Sequence, residues 1–572
     1  MEEQKKKLIK QRILPTALVA VTVPFILVFV VPFEIYSKNR DEFLFSAGDF
    51  LPLLLLFALL IGAGMFFAML FLRPFAYKMF RNVYLMFAFL LFLQGIFLNR
   101  GMSAFNTNGA RGNTAFLIFN TWFWIVMLGF AVGITFYDDK REISKSVCMI
   151  LSAVILVTQS VSFASTAVTT KGVFASKTKL DDSDVPLKIL TTEDLTTLSA
   201  NRNVLYFCID LFDERFADYA QTAFSDVFEN LDGFTRFTDH MSLYGHTYPS
   251  VAYMVTGNEY DADKTRGEFL GDVYKTDKTL SVLAEKGYKT NVYTQQYYVY
   301  TTQSAFPEYV TNSVKISDVK VRHPLNIGVH LAHMALYRCA PMALKSVLGV
   351  LNANQCNRNV QYTGDNGRKE YSTVNSRAWK ALNDTPFVST EQNVFKFVHI
   401  EGCHAAEKVK KINKSGKKLI KKSIRESFAV VNKYIDHLKK TGAYKDATIV
   451  ITGDHPAPFY NNGKLGGPKL TALFVKPSGS EGTKLKISSA PVHHSDIWPT
   501  IMQSENIAMP AEYGTSVFDV PENAQRERTF YWHTYKYDNT MDVYSYKVRG
   551  AGGDFSHWKL EKSTHYDRGI MH

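Results

Sequence analysis

The sequence predicts an N-terminal all-α domain of five transmembrane helices, then an α/β domain built on a mostly parallel, doubly wound sheet, and finally a small antiparallel β-subdomain. Three observations carry this. Nearly all the long apolar runs lie in the first ~170 of the 572 residues. Beyond them, short apolar strands alternate with helical stretches, which is the pattern of a parallel sheet. After residue 528 the spacing changes to short aromatic-rich strands separated by glycines.

The five apolar stretches run over roughly 14–34, 50–72, 83–98, 115–137 and 146–168. A bilayer crossing needs about 20 residues. The first stretch is too long for a cleaved leader and is followed at once by further spans. Lysine and arginine counts in the short loops set the orientation. The tail (Lys5, Lys6, Lys7, Lys10, Arg12), the second loop (Arg73, Lys78, Arg81) and the fourth loop (Lys140, Arg141, Lys145) carry eleven. The first and third loops carry four: Lys38, Arg40, Arg100 and Arg111. The basic segments are expected in the cytoplasm, which leaves everything after residue 168 outside. No ionisable residue falls mid-span as a transport pathway would need, so the helices read as an anchor beside lipid.

The net charge is +12. Much of it sits at membrane edges and in the run Lys408 to Lys422, which reads as a solvated helix face. Attraction to anionic headgroups accounts for the rest, and no nucleic-acid partner is expected. Five cysteines are too few for a disulfide-built scaffold. Cys148, Cys208 and Cys403 read as buried thiols, and Cys339 and Cys356 leave one disulfide open.

Residues 169–200 read as a linker, 201–527 as the α/β domain and 528–572 as the β-subdomain. Asn203 to Asp210 is a buried strand with a carboxylate at its end. Lys289 to Thr294, Val394 to Ile400, Thr448 to Thr452 and Ala472 to Lys476 are further strands. Ligands gather at the carboxyl edge of such sheets. Three of these strands lead into polar residues there: Asp210, Glu401 to His404, and Asp454-His455. Gly245-His246-Thr247 then opens a helix. Its hydroxyl stands in the positive potential of a helix N-terminus, which favours an alkoxide and an incoming phosphate.

The stretch Gly245 to Gly257 resembles the nucleophile segment of the alkaline phosphatase and sulfatase superfamily, with Thr247 in the nucleophile position. Threonine cannot become formylglycine, and Val251 stands where sulfatases carry arginine, so the resemblance points away from sulfate ester hydrolysis. Thr256-Gly257-Asn258-Glu259-Tyr260-Asp261 is similar to the corresponding segment of phosphoethanolamine transferases. By this resemblance Asp210, Thr247, Asp454 and His455 hold one divalent ion (Mn, Mg or Zn), and His404 contacts the substrate phosphate and protonates a leaving group. Asp210 departs from lipoteichoic acid synthases and phosphoethanolamine transferases, which carry Glu there. The second-metal Asp of two-metal members is replaced by Ile400. His494-Ser495-Asp496 resembles a late family segment in which Asp496 is structural and His494 lies near substrate. Tyr293 and Gln295, in the run to Tyr300, are candidates for lining the donor pocket.

With five spans, the resemblance to lipoteichoic acid synthases and phosphoethanolamine transferases implies a headgroup transferase. Its donor would be a phospholipid, phosphatidylglycerol or phosphatidylethanolamine, and its acceptor a cell-surface glycan or lipid. A phosphothreonine would form on Thr247. The alternatives are a membrane-bound metal-dependent phosphodiesterase or sulfatase-like hydrolase using water, and a non-catalytic surface protein on a retained fold.

Overall fold

The structure is a computed structural model that describes residues 2–40, 43, 45–99, 114–137, 143–175, 188–264, 266–277, 279–295, 298–299, 307–348, 353–404, 414–457, 460–461, 464–509, 514–535 and 541–566. Arg100, Arg111, Lys140 and Arg141, which enter the orientation argument, lie outside these residues, as do Gln296, Tyr297 and Tyr300. The chain forms two compact units, one of Met1–Thr178, Val319–Gln361 and Lys536–Asn539, the other of Lys179–Asp318, Tyr362–Tyr535 and Thr540–His572.

The first unit contains five helical segments long and apolar enough to cross a membrane: Ile9–Lys38, Leu51–Leu70, Pro74–Ile96, Thr114–Tyr137 and Ser144–Thr169. The first is α1 (Glu2–Pro24) continued through a π turn, Phe25–Val30, into α2 (Val31–Lys38). Pro24 lies at the junction, and its missing N–H accounts for the change of helix type. The others are α3 (Leu51–Leu70), α4 (Pro74–Ile96), α5 (Thr114–Tyr137) and α6 (Ile143–Thr169). Their outward faces carry residues such as Leu59, Ile118 and Trp122, each more than half exposed. That is the surface expected where lipid replaces water as solvent.

The second unit is built on a seven-stranded sheet. Its strands are β1 (Asn203–Ile209), β2 (Thr235–Met241), β3 (Lys289–Tyr293), β4 (Val394–Ile400), β5 (Thr448–Thr452), β6 (Leu473–Lys476) and β7 (Lys486–His493). They lie in the order β7-β2-β6-β5-β1-β4-β3. β1 runs parallel to β4 and β5, β3 to β4, and β2 to β7, while β6 is antiparallel to both neighbours. Every residue of β1, β4 and β5 is buried, as continuous apolar runs in a sheet covered on both faces must be. A separate C-terminal sheet of three antiparallel strands follows: β8 (Glu527–Tyr535), β9 (Met541–Arg549) and β10 (Trp558–Tyr566).

Three expectations change. The linker is shorter than 169–200, because Lys188–Leu190 and Thr197–Ser199 already pair with strands at Ser313 and Val388. Residues 319–361 group with the apolar helices, although the sequence places them inside the α/β domain. Cys339 and Cys356 are both free thiols, like the other three cysteines.

Candidate functional site

The neighbouring strands β5, β1 and β4 deliver the site. Because they are parallel, their carboxyl ends meet at one edge. Register pairs Cys208 with Thr452 on one side and His399 on the other. Asp210, His399 and Asp454 therefore converge, each offering a ligand atom within 4.8 Å of the others. All three are buried.

The backbone around them is forced into unusual turns. Leu211 adopts φ +58° and Gly402 φ +55°. Asp454 Oδ1 accepts hydrogen bonds from Leu211 N (2.9 Å) and His455 N (2.8 Å). Its Oδ2 is buried and accepts no hydrogen bond among the described residues. His399 Nδ1 lies 2.8 Å from Thr294 Oγ1, and its Nε2 is likewise buried without a hydrogen-bond partner among the described residues. Burial is the largest of the effects that push His399 down to about 4. The ring is therefore neutral at pH 7 and keeps a lone pair on Nε2, the form a metal requires. Two buried carboxylates beside a neutral imidazole leave negative charge that a cation compensates. The cluster fits a divalent metal.

Thr247 is the first residue of α7 (Thr247–Thr256). Its Oγ1 is 3.1 Å from His455 Nε2. His455 Nδ1 is 2.8 Å from the Pro456 carbonyl. A carbonyl only accepts, so Nδ1 carries the proton and Nε2 is the acceptor. The Thr247 hydroxyl thus donates to His455, the arrangement of an activated nucleophile. The same Nε2 lies 3.7 Å from Asp210 Oδ1 and 3.5 Å from Asp454 Oδ2, which ties the Thr247 hydroxyl to the candidate metal-ligand cluster.

The C-terminal sheet shapes this turn. Gly245 N donates to Tyr531 O (3.1 Å), and Tyr531 N donates to Leu243 O (2.8 Å). A Cβ on Gly245 would stand 2.4 Å from the Trp532 ring, so only glycine lets β8 approach the turn before Thr247. Beside it His533 is buried, and burial pushes it down to about 4.

Other expected site residues lie elsewhere. Tyr293 is fully buried in the core and its hydroxyl donates to Glu193 O (2.6 Å), so it does not line a pocket. His494 is buried and its Nε2 bonds the Gly453 carbonyl (3.0 Å), bracing the turn before Asp454 rather than facing substrate. Gln295 is exposed and donates to Thr373 Oγ1 (3.0 Å). His404 is exposed on the loop after β4, near enough to help lower the pKa of His399. Asp496 accepts two hydrogen bonds from Arg526 (2.8 and 2.9 Å), a structural role. His399 is not among the ligands that the sequence suggests, because it lies inside β4 and not in the polar run that follows it. Its signal was a histidine in a strand otherwise dominated by apolar residues. Ile400, the next residue, is fully buried.

Two outcomes test the site. Thr294→Val removes the bond that orients His399 and is expected to weaken metal affinity about 10- to 100-fold. Titration of the metal-free purified protein with Mn²⁺ or Zn²⁺ measures this, and unchanged affinity would take His399 out of the ligand set. The second concerns acid. Burial holds His494 and His533 at about 4 and His240 well below its ordinary value. The unfolded chain takes up these protons first, below about pH 6.5. Stability is therefore full above about pH 6.5 and lost as pH falls toward about 4, by on the order of 1 kcal/mol per pH unit for each of His494 and His533. Thermal unfolding of the purified chain from pH 8 to 4.5 should show the decline, and His533→Phe should make it shallower.

A family model described as Sulfatase matches residues 202–504, more than half of the chain. No curated protein matches the sequence. Among solved structures, BT4656 in complex with its substrate D-glucosamine-2-N,6-O-disulfate is 11% identical, with 63% of this chain and 90% of that chain covered at a TM-score of 0.38. A protein in the alkaline phosphatase superfamily from Vibrio parahaemolyticus is 11% identical, covering 68% and 88% at 0.33. The lipoteichoic acid synthase LtaP from Listeria monocytogenes is 11% identical, covering 66% and 89% at 0.33. The match over residues 202–504 spans β1 to β7 together with Asp210, Thr247, His399, Asp454 and His455, and the chain is a member of the sulfatase family.

Proposed function

We propose that this chain is a membrane-anchored phosphotransferase. It moves a phospholipid headgroup, phosphoglycerol or phosphoethanolamine, onto a cell-surface glycan or lipid through a phosphothreonine on Thr247. The observation that carries the reading is the Thr247 hydroxyl, bonded to His455 beside a buried cluster of two carboxylates and a neutral imidazole. Asp210, His399 and Asp454 would hold one divalent ion (Mn, Mg or Zn), with Thr247 and His455 at its margin. Such an ion supplies positive charge that lowers the hydroxyl pKa and offsets charge on the phosphoryl oxygens.

In the first step Thr247 Oγ1 gives its proton to His455 Nε2 and forms a bond to phosphorus. The phosphorus–oxygen bond to diacylglycerol breaks, and the leaving oxygen takes a proton from a nearby acid, for which His404 is the candidate. The N-terminus of α7 helps to neutralise the phosphoryl group. An acceptor hydroxyl then gives its proton to the base left by the first step, for which His404 is the candidate, and its oxygen displaces Thr247, whose oxygen recovers its proton from His455. Positioning and charge neutralisation do most of the work. Lysine and arginine placement favours an outside location for the site, where surface acceptors lie.

Hydrolysis is the competing reading, with water as acceptor. Incubation of the purified chain with headgroup-labelled phospholipid, with and without a glycolipid acceptor, separates the two. Label is expected on the acceptor and, in its absence, on Thr247 by mass spectrometry. Free labelled headgroup phosphate released equally with or without acceptor would overturn the transferase.

A further inference from the structure

Among the described residues of the insert 319–361 are the helices α8 (Pro324–Cys339) and α9 (Met342–Leu348), followed by one turn of helix at Ala353–Asn357. In sequence it interrupts the sulfatase-family domain, between the strands Ser313–Val321 and Val360–Gly364. In space it belongs to the unit of apolar helices. α8 packs on α2, the π turn, α3 and α4, and α9 packs on α5.

This packing is specific. Ile327, Leu331 and Ala335 of α8 are fully buried, a stripe at helical spacing. Gly328 sits so close to α3 that a Cβ there would be 2.9 Å from Leu54. Asn120 of α5 is buried, and its Oδ1 accepts the backbone N–H of Met342 (2.8 Å), one of the donors a helix start leaves unsatisfied. Asn99 Nδ2 donates to Arg338 O (2.6 Å), and Lys345 Nζ donates to Asn99 Oδ1 (3.0 Å). Arg338 pairs with Glu34 at 3.7 Å. The apolar bundle thus supplies polar partners for backbone and charge on the insert.

The opposite face is what needs explaining. Leu325 (50% exposed) and Val329 (57%) on α8, and Leu344 (52%) and Val347 (80%) on α9, face outward. A helix pair standing in water would carry polar residues there. The spans that α8 and α9 touch expose the same kind of surface, Leu59 on α3 and Ile118 on α5, and the two surfaces belong to one packed unit. At 16 residues α8 is about 24 Å long, too short to cross. It touches α2, which ends span one, and its Arg338 reaches Gly95 at the end of α4. α9 meets Asn120 near the start of α5. These are the helix ends on the side where the chain leaves the fifth span.

We propose that α8 and α9 form a second, monotopic membrane element, with Leu325, Val329, Leu344 and Val347 buried in the acyl chains of the leaflet on the catalytic side. The sulfatase-family domain is then held to the bilayer at two points of its sequence, the fifth span and this insert, whatever group Thr247 transfers. Exposed His323 and Arg322, at and just before the start of α8, reach the level of the lipid phosphates.

The test uses the full chain in phosphatidylcholine–phosphatidylglycerol nanodiscs. Nitroxides are attached at V329C and V347C, the native cysteines being buried. Collision rates with oxygen, which favours lipid, and with a water-soluble nickel chelate are compared with L59C on α3 and K562C on β10. The proposal expects both insert labels to shift to the oxygen-favoured ratio of L59C. A nickel-favoured ratio like that of K562C overturns it. Low access to both reagents with spin–spin broadening also overturns it, because a second copy then covers the face. If V329C fails to fold, V347C, at the most exposed of the four positions, gives the same readout.

Discussion

Thr247→Ala is expected to reduce turnover about 10⁴-fold or more, the scale seen when a nucleophile is removed, while the chain still folds and binds its metal. The helix is not at risk. Its Thr247 end is preceded by extended His246, and Ser250 N donates to His246 O (3.3 Å), a bond alanine keeps. The carboxylates of Asp210 and Asp454 and the ring of His399 stay in place, so metal content should remain close to that of the parent chain. What disappears is the one hydroxyl bonded to His455. Headgroup release from labelled phospholipid, metal content and thermal unfolding should be measured on one preparation. Full activity in a folded, metal-loaded T247A protein would remove the covalent mechanism. Thr247→Ser keeps a hydroxyl at the same helix start and is expected to retain part of the activity, an outcome a purely structural role for Thr247 would not require.

Gly402→Ala is expected to cost about 3 kcal/mol or more and to empty the metal site. Two effects combine. The residue sits at φ +55°, where a side chain costs roughly 1–2 kcal/mol. A Cβ would also lie 2.7 Å from Asp210 O, 2.8 Å from Asp210 N and 2.5 Å from Ile209 Cγ2. Two of these are backbone atoms that cannot turn aside. The turn is pinned from both directions, by Gly402 N donating to Asn375 Oδ1 (2.9 Å) and Cys403 N donating to Asp210 O (2.8 Å). Relief therefore comes from moving Asp210 away from His399 and Asp454. The denaturation midpoint should fall and bound metal should be lost together. Near-parental stability with full metal occupancy would show that this turn does not hold the ligand.

The two substitutions act at different levels. T247A removes a reacting atom and leaves its surroundings in place. G402A leaves every reacting group intact and disturbs the backbone that places one of them. A protein that lost activity in both cases but lost metal only in the second would separate chemistry from positioning.

Much of this was legible in the sequence because the signals are local. Hydropathy over about 20 residues finds each span. The buried runs Val394–Ile400 and Thr448–Thr452 appear as strands with those bounds, and the run Asn203 to Asp210 as a strand ending one residue earlier, at Ile209, since a strand covered on both faces is continuously apolar. The edge strand β7 was not evident. It is exposed over Lys486 and Ile487 and mixes serine with apolar residues, so its period is weak. His399 was missed for a different reason. Nothing within Val394 to Ile400 says that its sixth residue stands opposite Cys208, two positions short of Asp210.

The sequence alone determined the five apolar helices, the mostly parallel sheet, the C-terminal antiparallel sheet and the glycine-led turn that opens a helix at Thr247, because periodicity, hydropathy and turn chemistry are properties of neighbouring residues. Only the tertiary structure decided that His399 joins Asp210 and Asp454, that Tyr293 and His494 are structural, and that residues 319–361 leave their domain to pack on the apolar helices. Those outcomes depend on register between strands and on surfaces far apart in the chain. Strand order and packing against distant partners set them, and no local pattern encodes either.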